Sequence, residues 1–536
     1  MREAADAKSL HPLTVRDAVG FKVALFMYQS LVNIDYESQS LVGVVAKGEP
    51  QIDSLPKQIY KLTYQLRPEA QFDNGRQIEA ADILFSLKYY LAPFTFNRDN
   101  RDYYQFIDSV KINKNNSTAI SFYTHQLNSR TKFISGDFFI LPYESFDPNR
   151  ILSNYSISDL KQLVKTDSLP NLLQLEQHTD SSIKNASIQD LKGSGPYSLL
   201  NWEKGKRIQL EKKSNWWASN LNEQSVYFQN KANQLQIEII PDETTALSAL
   251  KSGDIDVLQG LSPKNYEKLQ SDSSRFLTYE MEKRGYQYIG FNMNHPILQE
   301  KELRKAIAYI CPLKIIVDQV YYGKASISSV PYVSATTSNE DQYAHNLQKA
   351  KNLLESIDWK DVDNDGLLEK EINGELVELE LEFLYNTSND SRAAIGMILK
   401  QEAKKVGIKI NVQSVEWSIY LERLRNGNTT LFYYGAQTAP LPPDFSSLFH
   451  SKSAFGGRNF AQYQSIQADS LIAIINKNIS VDKRDKIVKA FYGLIQDELP
   501  YYFMLTPYEL IATSKKVKGL RIYSDRPYYW ASELYK

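Results

Sequence analysis

One cysteine in 536 residues, Cys311, excludes an internal disulfide and any cysteine-based metal site. Its surroundings, LRKAIAYICPLKIIV from Leu303, read as an apolar helical run that buries a small hydrophobic thiol. No stretch approaches the roughly 18 consecutive apolar residues of a membrane-spanning helix. The opening MREAADAKSLHP is charged and has no apolar centre, so it does not read as a signal peptide. Either the protein is cytoplasmic, or a leader was removed and Met1 added. Excess charge of one sign is missing too. Lys plus Arg total 62 against 63 for Asp plus Glu, which argues against a nucleic-acid-binding surface over the whole molecule.

Catalytic signatures are equally scarce. No two of the six histidines (His11, His125, His178, His295, His345, His450) lie within one helical turn, so no zincin-type pair exists. Neither G-x-S-x-G, nor a P-loop, nor G-x-G-x-x-G occurs. A pair of carboxylates among the 63 stays open, because spacing along the chain does not reveal one. One stretch imitates a calcium loop: DVDNDGLLEKEI places Asp361, Asp363 and Asp365 at positions 1, 3 and 5 and Gly366 at 6. Position 12 is Ile372 instead of the bidentate Glu, and Glu369 and Glu371 sit at other offsets. Calcium and a plain acidic Asn/Asp/Gly turn therefore both stand as readings, and no metal ligand is assigned.

What the chain does have is aromatic: 35 Tyr, 23 Phe and 6 Trp. Tyrosine buries a ring and still offers a hydroxyl, which suits binding surfaces as well as cores. The length suggests about two to four domains. Strands are expected at IYKLTYQL, near Ala119–Thr124, at Arg207–Lys213, Leu235–Pro241 and Ile255–Leu258. Asn74-Gly75 supplies a turn before a helix with Ile83, Leu84 and Leu87 on one face. Between Asp99 and Asp190 little else is regular. The last third reads as strand Leu376–Thr387, a helix capped by Ser391 and Gly407, strand IKINVQSV, helix WSIYLERLRNG and strand TTLFYYGA. Such β-α-β-α-β spacing predicts a parallel sheet with covering helices, and in such sheets ligands bind beyond the carboxyl ends of strands.

Several segments, in order along nearly the whole chain, resemble the peptide/nickel class (family 5) of extracellular solute-binding proteins of ABC importers. They are SLHPLTVRDAVGFKVALFMYQSLV; YQLRPEAQFDNGRQIEAADILFSLKYY with Leu66, Arg67, Phe72, Asn74, Gly75 and Ala81-Asp82; and GSGPYSLLNWEKGKRIQLEKKSNWW. ETTALSALKSGDIDV, YIGFNMNHPILQEKELRKAIAY and VEWSIYLERLRNG follow. The resemblance implies an α/β, two-lobed periplasmic-binding-protein fold (type II). Lobe 1 would be discontinuous, 1–58 with 186–285 and 508–536; an inserted subdomain would occupy 59–185, and lobe 2 286–507. It implies a receptor without enzymatic activity or cofactor, capturing an extended peptide in an interlobe cleft by hinge closure. The partners would be a peptide or other small solute and the importer's permease subunits. The receptor would be a monomer, periplasmic or held outside the cytoplasmic membrane as a lipoprotein, with its leader absent from this chain.

A receptor indifferent to peptide sequence pairs with the ligand's backbone and leaves roomy pockets for side chains. By resemblance, one edge is Arg16–Val19, with Asp17 and Ala18, and the other is the strand end Tyr433–Gln437, with Tyr433, Tyr434, Gly435 and Gln437. Trp417 matches a family tryptophan lining a side-chain pocket, against a helix-packing role. Tyr288 lies on the strand entering the second lobe, against a core role. Peptide binders follow the strand with a run whose Asp receives the ligand's α-ammonium. Here that position falls on Gln437, Thr438 or Ala439, none acidic, and Asp444 is the first carboxylate. Either another carboxylate such as Asp17 substitutes, or the ligand is amine-blocked or non-peptide, a carbohydrate or metal chelate. Two other classes compete: a hydrolase or lyase using a hidden carboxylate pair, and an interaction protein that has lost solute binding. The latter is suggested also by Pro312, which stands where the family has Asp and predicts a helix restart.

Overall fold

The computed structural model describes all residues but 114–115, 167–168, 186–190, 332–340, 373, 388 and 439–440, and the side chains of 98, 99 and 185. The chain divides into two compact units, Met1–Met281 with Leu510–Lys536, and Glu282–Glu509. The first is discontinuous in sequence. The expected domain limit at 185/186 lies at the edge of the undescribed residues, and the Ala439 position lies outside the described residues.

Within the first unit, Tyr197–Glu203, Arg207–Lys212 and Gln234–Ile239 form an antiparallel sheet that the short strand Arg2–Glu3 extends in parallel. A second sheet orders Gln51–Leu55, Ile59–Gln65, Ala119–Thr124 and Ser109–Ile112. Leu62, Tyr64 and Leu66 are buried along it, as alternation demands. Because Gln51–Leu55 pairs with Ile59–Gln65, the limit expected at 58/59 falls inside a hairpin. The stretch read as irregular holds the additional strand Ser109–Ile112 and a helix, Pro170–Asn185, whose polar sequence hides its narrow buried side at Leu172 and Leu175. The turn at Asn74-Gly75 forms with Gly75 at φ 77°.

In the second unit one sheet is buried on both faces. Gly285–Phe291 lies between Leu431–Gln437 and residues 501–505, antiparallel to both; Glu380–Asn386 runs parallel to Lys409–Val415 and to the start of Leu431–Gln437. Successive side chains enter two different cores. Ile289, Phe383, Leu431 and Tyr433 pack with Ile395, Leu399 and Ala403 of helix Asp390–Lys404. Tyr288, Leu384 and Phe432 pack with Tyr420 and Leu424 of helix Trp417–Arg425 and with Val488 and Phe491 of helix Val481–Glu498. This is the parallel β-α-β-α-β block, covered on both sides.

Three local expectations are corrected. The strand expected over Leu376–Thr387 is two, Glu375–Glu378 in a hairpin and Glu380–Asn386 in the main sheet, separated at buried Leu379. Asn389, not Ser391, caps the following helix, because its side chain accepts from the Arg392 backbone N–H at 3.1 Å. Cys311 is buried but lies between helices Lys301–Tyr309 and Leu313–Val320, with Pro312 at the restart.

Candidate functional site

Strand Leu431–Gln437 has two unequal edges. One pairs with Gly285–Phe291 along its whole length. The other pairs with Glu380–Asn386 only at Phe383↔Leu431 and Leu384↔Phe432. Past Phe432 the ladder with Glu380–Asn386 stops. The parallel neighbour ends at Asn386, so the strand's last residues run past that neighbour, at the carboxyl end of the parallel strands where open α/β folds place ligands. The Tyr433 carbonyl there accepts from Tyr420 Oη at 2.6 Å and from Arg392 Nη1 at 3.4 Å.

Tyr434 is the centre of an aromatic stack on this stretch. Its ring lies 6.0 Å from Trp417 at 29° and 6.3 Å from Tyr420 at 12°, with Tyr288 at 6.0 Å and 35°. Trp417 opens the helix Trp417–Arg425, where Glu416 caps by accepting from the Ser418 N–H at 2.7 Å. That cap sets the indole on the strand's aromatic face, and it remains 44% exposed.

Arg392 was not singled out from sequence, although it follows the end of a parallel strand. Its Nη1 donates to Asn386 Oδ1 at 2.5 Å, its guanidinium lies 5.6 Å from the Tyr433 ring centroid, and its Nε is buried without a partner. It makes no ion pair among the described residues. A Cβ built on Gly435 would stand 3.7 Å from Arg392 Nη2, so this cation borders the open strand.

The other expected residues divide. Tyr288 is 1% exposed and Tyr433 fully buried, so both rings are core. Tyr433 and Tyr434 also point to opposite faces, as adjacent strand residues must. The Tyr433 hydroxyl donates to Gln287 Oε1 at 2.5 Å, and burial pushes its pKa well above the usual phenol value. Gly435 and Gln437 lie opposite Gln287 and Gly285, and Thr438 donates its N–H to the Arg284 carbonyl at 3.1 Å. Exposed Asp444 lies just before the short helix Ser446–Phe449, accepting from Ser446 N–H at 2.9 Å and Asn476 Nδ2 at 3.2 Å.

In the first unit Asp17 caps helix Ala18–Met27, taking the Gly20 N–H at 2.8 Å and the Lys8 N–H at 3.1 Å on its two oxygens. Ala18 and Val19 are helical. The edge expected at Arg16–Val19 is therefore corrected for Ala18 and Val19, whose helical backbone cannot act as a strand edge; Arg16 and Asp17 precede the helix, Asp17 in extended backbone with its carboxylate accepting the two N–H groups.

The acidic turn gathers carboxylate oxygens of Asp361, Asp363, Asp365 and Glu369 within 4.8 Å of one another. Each also accepts a backbone N–H of the same loop, from Gly366, Asp365, Leu367 and Val362. Glu369 joins from position 9, while Ile372 ends a strand.

Residues 60–457 match the family described as bacterial extracellular solute-binding proteins, family 5 (middle). The chain is 24% identical over 479 residues to the oligopeptide-binding protein AppA of Bacillus subtilis strain 168, spanning 87% of this chain and 79% of that one. It is 23% identical to heme-binding protein A of Haemophilus influenzae, over 64% of this chain and 60% of that one. The fold resembles the Bacillus subtilis AppA structure in complex with a nonapeptide (TM-score 0.73, 21% identity, 100% and 97% of the two chains). It also resembles NikA of Brucella suis in complex with Fe(III)-EDTA (TM-score 0.77, 16% identity, 100% and 99%). With its model matched across most of the length, the chain belongs to family 5 of the bacterial extracellular solute-binding proteins.

Proposed function

We propose that the protein is the solute-binding receptor of an ABC importer, taking up an extended peptide between two lobes that close by hinge motion. The observation that carries this is the strand edge past Phe432, where the ladder with Glu380–Asn386 stops and which Tyr434, Trp417 and Arg392 flank. A peptide adding to that edge gains main-chain hydrogen bonds independent of its sequence, while the stacked rings offer a broad apolar wall. Arg392 supplies a cation suited to a ligand carboxylate. Ligand-contacting residues on this reading are Trp417, Tyr434, Gly435, Gln437 and Thr438. The relatives named as oligopeptide- and dipeptide-binding proteins support peptide as the class.

The reading places lobe 1 at 1–58 with 186–285 and 508–536, an inserted subdomain at 59–185 and lobe 2 at 286–507. It makes the receptor a monomer outside the cytoplasmic membrane, periplasmic or lipid-anchored, delivering to permease subunits. It assigns no catalysis. A second reading is favoured by the neutral side chains of Gln437 and Thr438: an amine-blocked peptide, or a metal complex or carbohydrate. The neighbour in complex with Fe(III)-EDTA and the Campylobacter jejuni NikZ in complex with Ni(L-His) lend it support. A non-transport interaction protein on the same fold is the remaining alternative.

Gentle denaturation of the purified protein followed by mass spectrometry of what is released tests the choice. Peptides of several residues with free amines support the first reading; blocked peptides, chelates or sugars support the second. No bound solute, and no uptake of peptide pools by the refolded protein, would leave the interaction reading.

A further inference from the structure

Helix Ala80–Leu91 of the first unit carries two stripes. Ile83, Leu87 and Leu91 are fully buried in the core. Ala81, Leu84, Phe85 and Lys88 recur at the i, i+3, i+4, i+7 spacing of a second stripe, and none of the four is fully buried. That stripe lines a cavity of about 270 Å³. Residues 143–153 supply a further wall, and Ile112 adds to it from the strand Ser109–Ile112. Asp147 and Leu152 in the lining are buried, whereas Ala81, Arg150 and Ser153 are exposed, so the space reaches solvent.

Local chemistry fixes the second wall. The Arg150 N–H donates to the Asp147 carbonyl at 2.9 Å, and the Asp147 carboxylate accepts the Ile151 and Leu152 N–H groups, each at 2.8 Å. These bonds hold Arg150 in left-handed backbone, φ 52°, which costs free energy for a residue other than glycine. Its guanidinium lies 4.2 Å from the Tyr143 ring centroid, and its Nη2 donates to the Tyr143 hydroxyl. The Phe85 ring meets Tyr143 edge-on, with centroids 6.4 Å apart and planes at 78°. On the helix, Lys88 Nζ donates to the Leu152 carbonyl at 3.0 Å. Neither Lys88 nor Arg150 makes an ion pair among the described residues. The lining thus sets two cations against one carboxylate, Asp147, for a net charge of +1. Burial pulls the Lys88 pKa below the usual lysine value, with Asp159 opposing, as befits an ammonium without a contact anion.

We propose that this cavity is a second binding site and that it takes a small aromatic monocarboxylate. A void of about 150 Å³ accommodates benzene, so this one has room for a ring with a short acid chain. Leu84, Phe85, Tyr143 and Leu152 offer the ring an apolar and aromatic enclosure. Lys88 and Arg150 offer its carboxylate charge-assisted hydrogen bonds, the guanidinium as a fork already oriented on Tyr143. A neutral analogue would leave both cations without an anion, and an amine would meet repulsion. Every lining residue belongs to the first unit, so the site stands whether or not the peptide reading does.

The test is calorimetric titration of the whole protein with 3-phenylpropanoate, 3-phenylpropanamide and 3-phenylpropylamine at one ionic strength. Wild type is expected to bind the carboxylate at least about tenfold more tightly than the amide, and the amine more weakly still. Lys88→Gln and Arg150→Gln should each weaken carboxylate binding about fivefold with little change for the amide, and the double variant should erase the preference. Leu84→Trp, which fills the cavity, should remove binding of carboxylate and amide alike. Ala81→Trp, at an exposed position of the same stripe, decides the matter should Leu84→Trp fail to fold. Equal binding of carboxylate and amide by wild type, a preference that survives the double variant, binding that survives the filling variants, or no binding of any probe overturns the assignment. None of these outcomes touches the peptide reading, which the released-solute experiment judges separately.

Discussion

Trp417 stacks on Tyr434 with ring centroids 6.0 Å apart and planes inclined by 29°. The indole is 44% exposed, whereas Tyr288, on the neighbouring strand against the same Tyr434 ring, is 1% exposed. The stack thus runs from core to surface through one tyrosine, so its members differ in what their removal costs.

Trp417→Ala is expected to leave stability within about 1 kcal/mol of wild type, because an exposed ring loses little burial, and to weaken ligand binding about tenfold. Thermal melts alongside calorimetric titration with the ligand released from the protein check both halves.

Tyr288→Ala should behave oppositely. Removing a buried aromatic ring costs about 3–5 kcal/mol, read as a lower denaturant midpoint with unchanged slope. Binding measured well below that midpoint should change less than in Trp417→Ala.

Gly290→Ala tests the close approach of two strands. A Cβ there would meet the Phe432 ring at 2.1 Å, which forces that buried ring to move. A loss of about 1–3 kcal/mol is expected in equilibrium unfolding.

Two buried groups give pH dependences of opposite sign. His11 is 1% exposed and burial lowers its pKa from 6.5 to about 3, so the folded state holds it neutral. Its contribution to stability is present above about 6.5 and lost as pH falls towards 3, because only the unfolded chain takes up the proton. Asp137, raised from 3.8 to about 7, contributes fully below its ordinary value and loses that contribution as pH rises to about 7. His11→Asn should flatten the acid limb of a melting-temperature profile between pH 4 and 6. Asp137→Asn should melt above wild type at pH 8, with the gain vanishing near pH 4.

Much of the second unit was legible because its sequence obeys simple periods. Ile395, Leu399 and Ala403 recur at helical spacing and Gly407 stands at φ 78° just past the helix, and both follow from local chemistry. Asn389 was missed because Asn, Asp and Ser crowd residues 388–391, and any of these side chains can cap; only the backbone path selects one. The break at Leu379 was illegible for a related reason: a continuous apolar alternation does not say which half joins which sheet.

The sequence by itself determined the family, the parallel block and the absence of an acidic side chain at Gln437 and Thr438, since each is carried by residue type and local order. Only the tertiary structure decided that Tyr288 and Tyr433 are core while Tyr434 and Trp417 lie on the open side. It also decided that Asp17 caps a helix, that Arg392 borders the strand, and that Asp137 has no cationic partner among the described residues. Burial and charge pairing depend on residues far apart in the chain, and one-dimensional spacing does not record which of them meet.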